Sequence, residues 1–201
     1  MHDGKLISAP TETPTLVDSP FVFGTTPFYF LRHGETHESR QGIVQGQNET
    51  ELNSNGRKLI EGAAESLLNA SLGSIYSSPL KRAWRTAAII SVLTRVPVHT
   101  LRGVMERHWG EYQGRPIACR PSAPDPETAE PEEDFKKRIL KAMDSIEGPL
   151  PVLVVAHSGV FRAICDLLGI PIDSRTSVNT GQVLRMEPPA GQRETWRISE
   201  V

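Results

Sequence analysis

Two stretches of the chain carry an apolar run straight into a histidine and a glycine. In FYFLRHGE, residues 28–35, FYFL leads into Arg32, His33 and Gly34; in VLVVAHSG, residues 152–159, VLVV leads into His157, Ser158 and Gly159. Neither run alternates apolar and polar positions, which suits strands of a parallel sheet covered on both faces. In open parallel sheets, ligands sit at the carboxyl ends of the strands, so neighbouring strands of this kind would bring both imidazoles and Arg32 into one crevice. A third stretch, IYSSPLKR, residues 75–82, places Arg82 in the first turn of a helix just past a strand end. Two guanidiniums and two imidazoles beside helix amino ends match a tetrahedral dianion, because forked N–H donors and free helix amides suit phosphate oxygens. A phosphoryl group is the ligand these residues lead us to expect.

The elements that must hold these groups follow from periodicity. In LNSNGRKLIEGAAESLL, Asn53 reads as an N-cap, and Leu59, Ile60, Ala63, Ala64, Leu67 and Leu68 recur at helical spacing. Ser74–Ser77 reads as a strand feeding a helix with Pro79 in its opening turn, where the missing N–H costs nothing. VPVHTL is a further short strand. DFKKRILKAMDSI is a helix with Phe135, Ile139, Leu140, Met143 and Ile146 along one side. A helix beginning close to Gly159 follows the second histidine, and Val183–Glu187 with Trp196–Ser199 could close the chain as a hairpin. Alternation of this kind predicts a three-layer α/β/α sandwich around a mostly parallel sheet.

Composition narrows the partners. A chain of 201 residues is sized for one domain, and a net charge of −2 leaves no basic excess for a nucleic-acid or membrane surface, so any anion site must be local. Residues 1–27, with Pro10, Pro14, Pro20 and Pro27 among many Ser and Thr, read as an N-terminal extension, a strap or a disordered arm. They show neither an export signal nor a membrane anchor. Cys119 and Cys165 lack metal-ligand spacing, and reduced thiols in a cytoplasm are expected. His37, His99 and His108 have no partners at ligand spacing and read as surface or packing residues, so no metal and no cofactor are expected. Trp84 and Trp109 read as packing residues.

LRHGET (residues 31–36), YSSPLKRAWRTA (76–87), ERHWGEYQG (106–114) and VVAHSGVFRAI (154–164) together resemble, in order and spacing, the histidine phosphatase superfamily, also called phosphoglycerate mutase-like. The resemblance runs from Phe28 to Val201. It implies a phosphoglycerate mutase-like fold in a single 28–201 domain and a phosphomonoester hydrolase acting on a small or medium substrate. His33 would be the nucleophile that forms a phosphohistidine, with Arg32, Arg82 and His157 gripping the phosphate. Glu106 would be the general acid, protonated when substrate binds and acting on water afterwards. Gln45 and the amide of Ser158 would donate to phosphate, and Glu35 would orient the loop after the first strand.

The sequence departs from the family at several points. Ser39 stands where relatives commonly place Asn as a substrate contact, and ETEL replaces a D-x-P-L stretch. The cap insertion, around residues 114–134, is short and rich in Pro and acid, which predicts an open site. Glu130 is all that remains of a G-E-S element. The run from Glu130 to Asp134 has a simpler reading as a helix start, where acids complement the helix dipole. ERHWG is nearer to the mutase form, whereas AHSG and the short cap argue against a mutase, which must keep water from its phosphoenzyme. A phosphoglycerate mutase and a non-catalytic phosphate-binding protein therefore stand as alternatives to the hydrolase.

Overall fold

The computed structural model describes residues 21–119, 125–172, 177–191 and 194–201. β1 (Phe28–Arg32) leads into a short helix α1 (His37–Arg40) and then α2 (Ser54–Leu67). β2 (Ser74–Ser77) is followed by α3 (Lys81–Thr94), and β3 (Val98–Thr100) by a loop that reaches α4 (Glu132–Asp144). β4 (Val152–Ala156) runs into α5 (Ser158–Leu167), and β5 (Val183–Glu187) and β6 (Arg197–Glu200) close the chain. The six strands form one sheet in the order β3-β2-β4-β1-β5-β6. The first four are parallel, and β5 and β6 are antiparallel. The chain thus steps out from β1 to β2 and β3 and returns to fill the gap with β4. Arg32 pairs with Ala156 in register, so His33 and His157 leave the sheet at neighbouring positions on the same edge.

Alternate residues of each strand feed two separate cores. Phe28 and Phe30 of β1 and Val152, Val154 and Ala156 of β4 pack with Phe135, Ile139 and Met143 of α4 and Phe161 and Ile164 of α5. Tyr29, Leu31, Leu153 and Val155 face the other way, onto Ile60, Ala64 and Leu67 of α2 and Ala83, Ala87 and Ile90 of α3. The result is the three-layer α/β/α sandwich that the alternation predicts. Each large apolar side chain buried in this way contributes about 1.5–3 kcal/mol, and the strand ends inherit that rigidity.

The local signals behave unevenly. Asn53 caps α2 as expected, its Oδ1 accepting from the Gly56 amide at 2.7 Å. Gly34 and Gly56 are where the strand-end loop meets α2: a β-carbon on Gly34 would lie 2.9 Å from the Gly56 carbonyl, and one on Gly56 would run into the Glu35 backbone. Leu59 and Leu140 are exposed because each lies at the flank of its helix rather than on the stripe facing the sheet, and Leu68 is exposed just past the last residue of α2. α3 starts at Lys81 with Leu80 as N-cap, so Pro79 lies before the helix and shapes its entry instead of filling its first turn. The last strand begins at Arg197, and Trp196 packs on Phe28 just ahead of it.

Residues 1–20 of the expected extension lie outside the described residues. Within the remainder, Phe21 is buried, edge-on to Phe28 at 6.0 Å between ring centroids, and belongs to the core on the α4–α5 side. Among the described residues no helix is long and apolar enough to cross a membrane.

Candidate active site

The carboxyl edge of β1 and β4 floors a cavity of about 510 Å³ lined by Arg32, His33, Gln45, Arg82, Glu106 and Ser158, among others. His33 is buried, and its Nδ1 lies 2.8 Å from the Gly34 carbonyl oxygen. A carbonyl only accepts, so Nδ1 carries the ring proton and Nε2 keeps its lone pair. The His157 ring sits beside it, centroids 5.2 Å apart, with Nε2 at 2.8 Å from the Ser78 hydroxyl. That hydroxyl accepts from the Leu80 amide and can give its own proton to His157.

Arg82 is anchored from the far side. Its terminal nitrogens donate to the carbonyls of Gly46 (2.7 Å) and Asn48 (2.9 Å) and to the Thr50 hydroxyl. Arg32 donates to the Val178 carbonyl at 2.9 Å. Arg32 Nε, Arg82 Nε and His157 Nδ1 are buried and have no hydrogen-bond partner among the described residues. Buried donors in native proteins are nearly always satisfied, so the free Nε groups of Arg32 and Arg82, two residues that line the cavity, mark an anion site, while His157, expected as a phosphate ligand, is fully buried beside His33 and absent from the lining.

Glu106 reaches the floor from the loop after β3. Its Oε1 accepts from the Arg107 amide at 2.8 Å and its Oε2 from the Gly159 amide at 3.0 Å, at the start of α5. The loop is clamped by Arg138 of α4, which donates to the carbonyls of Gly103, Met105 and Glu106. Glu130 closes the clamp: its carboxylate takes two bonds from Arg138 and one from the His108 amide. Burial works to raise the Glu130 carboxyl pKa, but the hydrogen bonds and charge of Arg138 hold it below the ordinary value.

Not every expected residue joins the cavity. Ser39 is absent from its lining; its hydroxyl and amide close a capping box with Thr36 at the start of α1, which corrects the expectation of a substrate contact. Glu35 accepts from Asn53 and Asn55 and ties the strand-end loop to α2. Gln45 does line the cavity, and the Thr36 and Thr50 hydroxyls both donate to its Oε1, so its NH₂ is the group left to face a ligand. Sequence reasoning missed Arg107, stacked 4.5 Å from the Trp109 ring centre, and Arg162, both of which line the cavity with Trp109. Trp109 is therefore a wall residue rather than interior packing. Arg162 carried a signal in its spacing, four residues beyond Ser158 on one helix face.

The histidine phosphatase superfamily (branch 1) matches residues 28–199 of the sequence. The chain belongs to that superfamily. It is 31% identical over 148 residues to the uncharacterized phosphatase PhoE of Bacillus subtilis, covering 69% of this chain and 75% of that one. It is 35% identical over 159 residues to a metal-independent phosphoserine phosphatase of Arabidopsis thaliana, covering 69% and 67%. The mycobacterial glucosyl-3-phosphoglycerate phosphatase, solved with VO3, superposes with a TM-score of 0.68 at 24% identity, over 87% of this chain and 97% of that one. This last likeness shows the fold.

In this histidine phosphatase, burial first, then the charges of Arg82 and Arg32, push the His33 pKa well below 6.5. Burial and Arg82 do the same to His157, with His33 adding to it. Both rings are neutral at neutral pH. Burial also lowers Arg82, to about 10, which still leaves it charged. An unfolded chain protonates these histidines near pH 6.5 while the folded one does not, so the unfolded state binds more protons just below that pH. Stability must then fall as pH falls, by up to about 1.4 kcal/mol per pH unit for each histidine. Chemical denaturation in phosphate-free buffer between about pH 6.5 and 5.5 should show this slope, and His157→Asn should flatten it.

Gly159 is required where it is. A β-carbon there would run into the Glu106 carboxylate. Gly159→Ala should displace that group and cost about 10²-fold in kcat/KM on an alkyl phosphate. The loss on p-nitrophenyl phosphate should be smaller, since its leaving group departs without a proton.

Proposed function

We propose that the chain hydrolyses small phosphomonoesters through a phosphohistidine at His33, without metal or cofactor. The observation that carries this reading is the pairing of a neutral, Nε2-bare His33 with the unpartnered buried Nε donors of Arg32 and Arg82 in the same cavity. The phosphoryl oxygens take up Arg32, Arg82 and His157, with the Gln45 amide and the Ser158 N–H at the rim. His33 Nε2 attacks phosphorus in line, the ester P–O bond breaks, and Glu106 gives its proton to the departing alkoxide. Water then attacks the phosphohistidine, Glu106 takes the proton back, and inorganic phosphate leaves.

The positions of the donors do most of the work, because phosphoryl transfer needs charge held on the equatorial oxygens more than covalent assistance. The carboxylate of Glu106 is held by two backbone amides and needs no metal to place it. A cytoplasmic setting belongs to the same proposal and is supported by two free thiols, exposed at Cys119 and buried at Cys165. Release of phosphate from p-nitrophenyl phosphate in excess chelator tests the reading. Turnover that persists in chelator, with an acid-labile, alkali-stable phosphoenzyme after rapid quenching, is the expected result. Loss of activity in chelator would overturn it, and accumulation of an isomer in place of free phosphate from a natural ester would favour the mutase.

A further inference from the structure

Two loops supply the cavity with different parts of the chemistry. The loop between α1 and α2 carries Gln45 and the Gly46 and Asn48 carbonyls that anchor Arg82. The loop after β3 carries Glu106. Both lie outside the sheet and the helices that cover it, so strand and helix packing does not by itself set the spacing between them. Backbone bonds from the Gly114 amide to the Val44 carbonyl and from the Val44 amide to the Arg115 carbonyl bring the two segments side by side.

One glutamine then locks them together. Gln113 Oε1 accepts from the Gln47 amide at 2.8 Å and from the Trp109 amide at 3.3 Å, and its Nε2 donates to Asn48 Oδ1 at 3.1 Å. Gln47 continues the chain, its Nε2 donating to the Glu106 carbonyl at 3.0 Å. The contact is close. Gly46 turns left-handed at φ +51°, and a β-carbon there would run into the Gln113 side chain. Gln113 thus holds, on one side, the stretch whose carbonyls grip Arg82 and, on the other, the stretch that follows Glu106, while lying outside the cavity lining itself. Half-exposed bonds of this kind add little to global stability. They matter to catalysis because a misplacement of about 1 Å between reacting groups can cost about 10²-fold.

We propose that Gln113 is a positioning residue for the general acid: it keeps the phosphate held by Arg82 and the Glu106 carboxyl at the separation that proton transfer to the leaving group requires. The proposal rests on the hydrolase reading above. A glutamine that served the fold alone would affect every ester alike, whereas a spacer between phosphate and acid affects an ester only as far as its leaving group needs a proton.

Phenyl phosphate and p-nitrophenyl phosphate are close in shape, and the nitro group lets the second leave without a proton. Gln113→Met keeps the length of the side chain and removes its hydrogen bonds. It should lower kcat on phenyl phosphate at least about tenfold and on p-nitrophenyl phosphate less than about threefold, with both KM values and inhibition by inorganic phosphate nearly unchanged. Gln113→Glu keeps both accepted bonds, and the Asn48 amide can turn to donate to the new carboxylate, so most of the wild-type ratio between the two esters should return. Gln47→Met should shift the ratio in the same direction as Gln113→Met, and the double variant should go no further than the larger single change, because the two residues act in one chain of bonds. Equal losses on the two esters, or no loss, in a Gln113→Met protein that unfolds within a few degrees of the wild type would overturn the proposal. Should Gln113→Met fail to fold, Gln47→Met decides: a shifted ratio supports the proposal and an unchanged one overturns it. A wild type that releases phosphate from neither ester would sink the hydrolase reading, and this proposal with it.

Discussion

His33→Ala should lose at least about 10⁴-fold in kcat while remaining folded, because a covalent route has no substitute once its nucleophile is gone. Among the described residues the ring makes one hydrogen bond, to the adjacent Gly34 carbonyl, and its backbone amide keeps its bond to Ala156 whatever the side chain. The variant should therefore unfold within a few degrees of the wild type. It also removes one of the two histidines that resist protonation, so its stability should fall less steeply below about pH 6.5. Steady-state turnover in chelator beside thermal unfolding checks both halves. Substantial turnover in a folded His33→Ala protein would remove the phosphohistidine from the mechanism.

Arg82→Ala should damage both catalysis and the fold, and this separates it from His33. The guanidinium is buried and donates to Gly46, Asn48 and Thr50 from the side away from the cavity. Truncation strands those acceptors and opens a void, at a cost of about 2–4 kcal/mol. It also removes the unpartnered Nε proposed to bind phosphate, worth about 10²–10³-fold in rate for a single such group. Arg82→Lys should rescue neither, since one ammonium cannot bridge the loop acceptors and still present a donor to the cavity. Inorganic phosphate should raise the unfolding temperature of the wild type and leave that of Arg82→Ala nearly unchanged. Equal protection of both proteins would mean that Arg82 holds the loop and does not hold the anion.

The carboxylate contacts of Glu106 among the described residues come from the amides of Arg107 and Gly159. Its loop is held by Arg138 of α4 and, from the 114–134 stretch, by Glu130. Glu130, expected as a remnant of a family element, supports the Glu106 loop through Arg138 and His108 and stays out of the cavity lining.

The sequence by itself determined which strands end at the site and which histidines they carry. FYFL and VLVV are unbroken apolar runs, and such runs must be interior strands wherever they fall, so His33 and His157 had to emerge at their ends. Asn53 was equally legible, because an N-cap is a contact between residues three apart. The tertiary structure decided the groups whose partners lie far along the chain. Glu106 finds the Gly159 amide, Arg138 finds the loop at 103–106, and Arg107 and Lys136 are taken up by Asp125 and Asp166. Ser39 shows the converse, a residue placed by analogy at the substrate that a local capping box claims first. Periodicity and capping are written within a few residues of each other, whereas the commitment of a charge is settled only when α4, α5 and the loop after β3 meet around one cavity.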